Sequence, residues 1–258
     1  MDSRFNAVLN SINLLEYIPE LRVLDIVYTP ATISDTLFEF GNKSGGILTD
    51  RKFNGAKVGI EVEIHEYDPV VRNTACQKLL SWASRGGRLE TSDRPNQYLM
   101  VLCTNAPGIA SALRWTDKVT VEFTASEKPF WTESVPQTLT ITTSGKFSVG
   151  GCVDTAPVKA TISSGNATNT GVAFTSLTVT CADTSITLSG INVAKNKRIL
   201  IDYDEYGFLT IKTSDGTDLM QYRTGSDELR LPCGKKSNVK VTSNTAVTCV
   251  LEVSGYWL

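Results

Sequence analysis

The sequence predicts a mainly β protein with two domains. Residues alternate between apolar and polar in the first half, and short strands separated by turn residues run through the second. The 258 residues suit one large β domain or two ordinary ones. From Ser134 onward, Ser and Thr make up about a quarter of the residues, and turn signals recur about every 8 to 12 residues. Because Pro129 to Pro136 interrupts the strand pattern, we predict domains at 1–133 and 134–258.

Three strands are predicted in the first domain. Apolar and polar residues alternate from Val58 to His65, which indicates a strand with one face on a core and the other in water or on a partner. Lys118–Thr124 has the same pattern, and Tyr98–Cys103 is more uniformly apolar. The first domain is therefore expected to be built on a sheet.

One helix is predicted between these strands, over Pro69–Arg85. Asp68 can cap its N-terminus, and Pro69 suits the first helical position, where no amide donor is needed. Apolar residues recur at helical spacing along it. Gly86 and Gly87 then provide a left-handed stop.

Two segments of the first domain are harder to assign. Phe5–Ile12 has apolar residues at helical spacing, but its asparagines are weak helix formers and Pro19 ends the stretch, so a short helix and an irregular segment remain open. Phe40–Gly46 is rich in glycine and is predicted to be a mobile loop that continues through Thr49–Lys52.

The second domain is predicted to be an antiparallel sandwich of nine short strands. They are expected at Gln137–Thr143, Pro157–Ser163, Val172–Cys181, Ile186–Ser189, Arg198–Tyr203, Phe208–Thr213, Leu229–Pro232, Ser237–Thr242 and Ala246–Val253.

The composition excludes several classes of protein. With 41% hydrophobic residues, 20% charged residues and a net charge of -2, the chain is expected to be globular and not a nucleic-acid binder. Its apolar runs are too short for a membrane span, and no signal segment follows Met1, so we expect a cytosolic chain. Its six cysteines are scattered without a Cys-x-x-Cys pair, which favours free thiols over disulfides or zinc.

Two groups of charged residues offer the donor atoms of a chemical site. Glu61, Glu63 and His65 share a strand face, where they can act as metal ligands or an acid/base pair, but a solvated or interface face is the favoured interpretation. Asp202–Gly207 is similar to the opening of a calcium loop, yet Tyr206 and Thr213 stand where oxygen ligands are needed, so a strand ending in an acidic turn is favoured.

Aromatic residues of the second domain can stack on sugars, although core positions are the favoured interpretation. They are Tyr203, Tyr206, Phe208, Tyr222 and Trp257. Nucleotide-binding loops and the nucleophile elbow of α/β hydrolases are absent from the sequence. We therefore predict no catalytic residue, cofactor or metal site, and no enzyme.

Several short motifs follow one another along both domains. In the first domain they are Ser11–Tyr17, Lys57–Ile64, Lys78–Trp82 with Gly87–Glu90, Pro95–Leu99 and Lys128–Trp131. In the second domain they are Asp154–Pro157, Arg198–Asp202, Leu229–Gly234 with Asn238–Val241, and Gly255–Leu258. The order of these motifs resembles the distal tail protein (Dit) family of long-tailed bacteriophages. Two departures are Cys233, inserted between Pro232 and Gly234, and the lack of the His-x-Asn-x-Arg motif with which galectins bind sugar.

The resemblance implies a tail-tube-like, ring-forming β-sandwich at 1–133 with one helix, and a galectin-like, jelly-roll β-sandwich at 134–258. It implies a structural virion protein, assembled in the host cytoplasm, that forms a homohexameric ring at the tail tip. Its expected partners are its own copies, the tail tube protein, the tail tip or baseplate hub with its tail-associated protein, and receptor-binding proteins. The alternative is a carbohydrate-binding module or adhesin that recognises host polysaccharide.

The ring contacts are expected in the first domain, where a polar strand face and a charged, glycine-rich loop are available. The candidate interface residues are Lys43, Gly45, Gly46, Asp50, Arg51, Glu61, Glu63 and His65. No membrane span and no sequence-specific binding of nucleic acid are expected.

Overall fold

The computed structural model describes residues 5–39, 46–105, 118–152, 155–164, 171–204 and 207–258, with the backbone alone at 37–39 and 46–52. The chain divides into two compact units, Met1–Ser134 together with Leu258, and Val135–Trp257. Most described residues lie in strands, and the prediction of a mainly β protein is confirmed. No helix among the described residues has the length and apolar character needed to cross a membrane.

The strands of the first unit form one large antiparallel sheet and a separate hairpin. The elements are β1 (Ala7–Leu9), β2 (Ile12–Asn13), α1 (Leu14–Tyr17), β3 (Leu21–Thr29), β4 (Thr32–Glu39), β5 (Gly46–Asn54), β6 (Lys57–Ile64), α2 (Pro69–Ala83), β7 (Gly87–Thr91), β8 (Gln97–Cys103), β9 (Lys118–Ala125) and β10 (Trp131–Glu133). The sheet has the order β2-β1-β7-β8-β9-β6-β3, and β10 also pairs with β8. The hairpin is β4-β5.

Helix α2 covers the apolar face of this sheet. The side chain of Asp68 accepts hydrogen bonds from the amides of Val70 and Val71, which caps the helix as predicted. Trp82 is fully buried, packs edge-on against Phe123 at 5.9 Å, and donates from Nε1 to a backbone carbonyl of β2 at 3.0 Å. The core of the first unit therefore lies between α2 and the sheet.

A glycine pair ends the helix, as the sequence predicts. Gly86 and Gly87 have φ values of 58° and 109°, which favour glycine. A Cβ added at Gly87 would lie 2.3 Å from the amide oxygen of Asn10. That amide donates to the carbonyl of Gly86 at 2.6 Å and accepts from the amide of Arg88 at 2.9 Å. The turn therefore needs glycine for its conformation and for the space that Asn10 occupies.

The N-terminal segment forms a hairpin and not the short helix that was one of its two interpretations. Strands β1 and β2 are joined by Asn10 and Ser11, which have φ values of 50° and 65°. Positive φ at both turn residues is the geometry of a tight hairpin, which asparagine tolerates well. Asn13 then caps α1 by accepting from the amides of Leu15 and Glu16. The asparagines that weakened the helix prediction are the turn and cap residues.

The prediction of a loop at residues 46–52 is wrong. Gly46–Asn54 is strand β5, paired with β4 so that Thr36 lies opposite Asp50 and Asp35 opposite Arg51. The other predicted loop residues, 40–45, lie outside the described residues. Strand β3, which was not predicted, is also present. In the facing strand β4, Thr32–Thr36 are exposed on both faces, so this strand has no period-two pattern that could have predicted the hairpin.

The second unit is a β-sandwich. Its elements are β11 (Gln137–Ile141), β12 (Ser144–Ser148), β13 (Thr155–Pro157), β14 (Lys159–Ser164), β15 (Val172–Cys181), β16 (Thr184–Val193), β17 (Arg198–Tyr203), β18 (Leu209–Thr213), the 3-10 helix Met220–Tyr222, β19 (Arg223–Gly225), β20 (Arg230–Pro232), β21 (Lys236–Ser243), β22 (Val247–Val253) and β23 (Tyr256–Trp257). Two five-stranded antiparallel sheets have the orders β11-β22-β14-β17-β18 and β12-β21-β15-β16-β19, and β13 pairs with β20.

All nine predicted strands of this unit overlap strands of the structure, and β15 and β17 have the predicted bounds. Strand β12 was not predicted because Phe147 is its one large apolar residue. All six cysteines are free. Burial raises the pKa of both Cys181 and Cys249 to about 12, so these two thiols stay protonated in the core.

Candidate assembly surfaces of the first unit

The outward face of β6 carries two of the predicted interface residues. Glu61 and Glu63 project from the side opposite the buried Val58, Ile60 and Val62. His65 follows the end of the strand, and its Nε2 lies 2.9 Å from a carboxylate oxygen of Glu63. The structure therefore brings Glu63 and His65 together, with Glu61 on the same face.

The strands on either side of β6 set the charge around these residues. Glu63 lies opposite Arg22 of β3 and Lys118 of β9, so a cation stands at both neighbouring positions. Glu61 lies opposite Asp25 and Thr120. Because cross-strand neighbours interact most strongly when their charges differ, Glu63 is compensated by its neighbours and Glu61 stands beside a like charge. This face has charges of both signs.

Three of the remaining interface candidates lie on the hairpin. Gly46, Asp50 and Arg51 are in β5, opposite residues of β4, and Lys43 and Gly45 lie outside the described residues. Hairpin β4-β5 and strand β6 belong to different sheets. The predicted residues are therefore divided between two surfaces, one on the hairpin and one on the sheet.

The described part of strand β4 is exposed on both faces. The five consecutive residues from Thr32 to Thr36 are all exposed, and Ile33 is 55% exposed. A strand whose odd and even positions both face water has no core of its own. An isolated two-stranded hairpin is only marginally stable in water. An additional packing contact would therefore stabilise this hairpin.

The base of the hairpin is firmly attached to the first unit. Phe53 packs edge-on against Phe130 at 4.9 Å. At the end of β3, Tyr28 packs edge-on against Trp131 at 5.5 Å, and Arg94 lies over the Tyr28 ring at 4.6 Å. Burial, with the hydrogen bond from its hydroxyl to Asp93, raises the pKa of Tyr28 far above its usual range. These contacts hold both ends of the hairpin against the first unit.

Exposed apolar side chains mark positions that the sequence interpretation missed. Val27 of β3 is 54% exposed, and Tyr67 and Val70 at the start of α2 are 97% and 75% exposed. Val27 and Ile33 lie on strands that were not predicted, so the exposure of their side chains could not be predicted either. Val70 lies outside the buried stripe of α2, Ala75, Leu79, Trp82 and Ala83, a signal that the helical spacing already contained.

The two aspartates of the segment that is similar to a calcium loop make structural contacts within the second unit. Among the described residues no group of three or more His, Cys, Asp or Glu side chains is placed to hold a metal ion. Asp202 pairs with Lys159 at 2.7 Å, and Asp204 accepts from the amide of Phe208 at 2.8 Å. Strand β17 ends at Tyr203, and Gly207 has a φ of 84°, whereas residues 205 and 206 lie outside the described residues.

The aromatic residues considered for sugar stacking are dispersed. The Tyr203 hydroxyl donates to the Leu229 carbonyl and accepts from its amide, both at 3.0 Å, so this ring is held against the second unit's own backbone. Phe208 and Tyr222 are exposed, Trp257 is half-buried, and Tyr206 lies outside the described residues. No observation on the described residues favours a stacking platform.

Taken together, the two units define a mainly β protein in which a sheet backed by one helix carries an exposed hairpin, and a β-sandwich follows. No family model matches the chain, and no curated protein matches it in sequence. A solved structure with the same fold is that of SPP1 Dit, described as a paradigm of the hub adsorption apparatus in phages that infect Gram-positive bacteria. The TM-score is 0.69 at 13% identity, covering 97% of this chain and 98% of that one. The predicted resemblance to Dit proteins is confirmed at the level of the fold.

Two further matches are chains of the phage P2 baseplate in its activated conformation. The calcium-containing structure has a TM-score of 0.43 at 9% identity, covering 99% of this chain and 98% of that one. The strontium-containing structure has a TM-score of 0.42 at 10% identity, covering 97% of each chain. Both similarities are too low to support an assignment.

Proposed function

We propose that this chain is a structural protein of a long-tailed phage, of which six copies form a ring at the distal end of the tail. The ring joins the tail tube to the tip or baseplate hub that carries the host-attachment proteins. The observation that carries the proposal is the agreement of fold with SPP1 Dit along nearly the whole of both chains. In this proposal residues 1–133 are the tail-tube-like ring domain and 134–258 the galectin-like domain.

A closed ring requires a heterologous contact, in which one patch of each copy meets a different patch of the next. The first unit offers two separate surfaces of this kind, the exposed β4-β5 hairpin and the outward face of β6 with Glu61, Glu63 and His65. We assign the hairpin, with Lys43, Gly45, Gly46, Asp50 and Arg51, to one side of the contact. Packing against the next copy covers the exposed Ile33 and gives the two-stranded hairpin a surface to pack against.

The test compares two substitutions of the same kind. Ile33→Glu places a charge on the hairpin, and Val135→Glu places one at a position that is 71% exposed in the second unit. In sedimentation velocity the unmodified chain is expected to form a six-copy ring, the Ile33 variant to shift to monomers, and the Val135 variant to keep the ring. Burying an unpaired carboxylate in the contact is the reason for the loss. Negative-stain images then show the shape of the assembly.

Two results would contradict the proposal. An unmodified chain that stays monomeric at all concentrations removes the ring, and a monomer that binds neutral glycans supports a carbohydrate-binding module instead. An Ile33 variant that assembles as well as the unmodified chain removes the hairpin from the contact and leaves the β6 face to carry it.

A further inference from the structure

Asn54 and Gly55 form the only Asn-Gly dipeptide of the sequence. They lie where strand β5 ends, just before β6 begins at Lys57, and both residues are exposed. Because glycine has no Cβ, its backbone nitrogen is the least shielded from a neighbouring side chain, and its backbone turns most freely. The dipeptide therefore places an amide side chain beside an accessible backbone nitrogen, in contact with water.

The two reacting groups of this dipeptide are not held by the part of the chain that the structure describes. Within it, the Asn54 side chain has no hydrogen-bond partner, and the Gly55 amide donates to no carbonyl. The residues on either side are held, because Phe53 packs against Phe130 at 4.9 Å and the Ala56 carbonyl accepts from the backbone of β9 at 2.9 Å. Asn54 and Gly55 are thus an unbonded link between two anchored positions.

Asp215-Gly216, the chain's Asp-Gly dipeptide, is held at both of the corresponding groups. The Gly216 amide donates to the Thr213 carbonyl at 2.8 Å. The Asp215 carboxylate accepts from the hydroxyls of Thr213 and Thr217. These bonds, chiefly the one from Thr213, lower the pKa of Asp215, so its carboxylate stays ionised and is a poor target for a nucleophile.

Asn10 also precedes a small residue, Ser11, but its side chain is fixed. Its amide group donates to the Gly86 carbonyl at 2.6 Å and accepts from the Arg88 amide at 2.9 Å. Rotation toward the following backbone nitrogen would break both bonds, each of which contributes about 1 kcal/mol. Of these three positions, only Asn54 combines an accessible nitrogen with an unbonded side chain.

We propose that Asn54 is a site of spontaneous deamidation in the folded, unassembled chain. The Gly55 nitrogen attacks Cγ of Asn54, the Cγ–Nδ2 bond breaks, and the amide proton passes through water to the departing ammonia, which leaves a cyclic succinimide. Water then adds to either carbonyl of the ring and opens it to aspartate or isoaspartate. The reaction consumes water alone, and this modification goes beyond the proposed ring.

Both products change the attachment of the hairpin. Asn54 lies opposite Thr32 in the last pair of β4 and β5. Aspartate adds a negative charge at this pair. Isoaspartate adds the same charge and also lengthens the backbone by one carbon between the anchored Phe53 and Ala56. The modification therefore acts where β5 passes into β6.

The experiment incubates the full chain at neutral and at mildly alkaline pH. Peptide-mapping mass spectrometry locates each deamidated residue, and an isoaspartate methyltransferase counts the isoaspartate. The test variants are Gly55→Ala and Asn54→Gln, and the matched control is Asn73→Gln, at an exposed position of α2. Because a Cβ at Gly55 would lie 3.1 Å from a methyl carbon of Thr124, circular dichroism and thermal melts verify the fold of each variant.

The unmodified chain and the Asn73 variant are expected to deamidate at Asn54 first, and faster at the higher pH, because the attacking nitrogen must lose its proton. Gly55→Ala is expected to slow this reaction at least about tenfold. Asn54→Gln is expected to remove it, because the longer side chain must close a larger ring.

Two results overturn the proposal. The first is an Asn54 that stays intact in the folded chain while a synthetic peptide of residues 50–58 is deamidated, because the fold then protects it. The second is a reaction at Asn10 or Asp215 that is as fast as the reaction at Asn54, because the hydrogen bonds then do not select the site.

Discussion

Two hairpins of this protein have similar lengths and opposite surroundings. In β15-β16 one face is buried in the sandwich, with Leu177 and Leu188 each 1% exposed, and the outward face carries Thr and Ser. In β4-β5 the consecutive residues from Thr32 to Thr36 are all exposed. The contrast shows that apolar and polar residues alternate in a strand because one of its faces is buried, and not because the strand is paired. A strand with both faces in water carries no such pattern.

The largest expected difference between the hairpins is in what a truncated side chain costs. Leu188→Ala removes a fully buried side chain and is expected to lower the free energy of unfolding by about 2 to 5 kcal/mol. Ile33→Ala, on the exposed hairpin, is expected to change it by less than about 0.5 kcal/mol. Urea titration of the full chain at a concentration where it is monomeric measures both. Equal losses would mean that the hairpin has a core of its own.

The thiol at the end of β15 gives the buried hairpin a pH dependence that the exposed one lacks. Burial raises the pKa of Cys181 from its ordinary 9.0 to about 12. Between those two pH values the unfolded chain binds fewer protons than the folded one, so the stability from this thiol is complete below pH 9.0 and is lost toward pH 12. The loss between pH 9 and pH 10 is about 1 kcal/mol.

The variants that isolate this effect are Cys181→Ala and, as its control, Cys152→Ala, since Cys152 is exposed. The difference in unfolding free energy between about pH 9 and pH 10 is expected to be smaller in the first variant and unchanged in the second. If both variants keep the pH dependence of the unmodified chain, the Cys181 thiol ionises normally in the folded protein.

The smallest expected effect is on the outward face of the buried hairpin. The hydroxyls of Thr178 and Thr187 lie 2.9 Å apart across the two strands. A double-mutant cycle with Thr178→Ala and Thr187→Ala is expected to give a coupling of about 0.2 to 1 kcal/mol in unfolding free energy. A coupling of zero would show that the strand pairing, and not this side-chain contact, holds the two residues in place.

The same contrast explains what the sequence predicts and what it does not. Strand β6, helix α2 and strands β15 and β17 are found as predicted, because each buries one face against the core of its own unit. The hairpin β4-β5 was not predicted, because Thr32–Thr36 of β4 are all exposed and show no alternation of apolar and polar residues. In the N-terminal segment, Asn10 and Asn13 weakened the helix prediction, and the structure shows that they form the turn and the cap.

The surfaces are less predictable than the core. The shared face of Glu61 and Glu63 follows from strand alternation, but the charges around it depend on which strands pair with β6. The cross-strand neighbours of β12 could not be predicted at all, since Ser144 and Lys240 are far apart in sequence and are paired only through the register of β12 with β21. Pairing of distant strands is information that local patterns do not contain.

The amide of Asn10 is bonded to the chain on both sides of Gly87, across 78 residues to Arg88. Closing so long a loop fixes a large amount of chain entropy through one small polar side chain, and contacts of this span are those that slow the search for the native state. Pairing of β1 with β7 is therefore a long-range step of folding. A substitution of Asn10 removes contacts with two successive glycines and with Arg88 at the distant end of α2, so one exposed turn residue acts on a junction that is far away in the sequence.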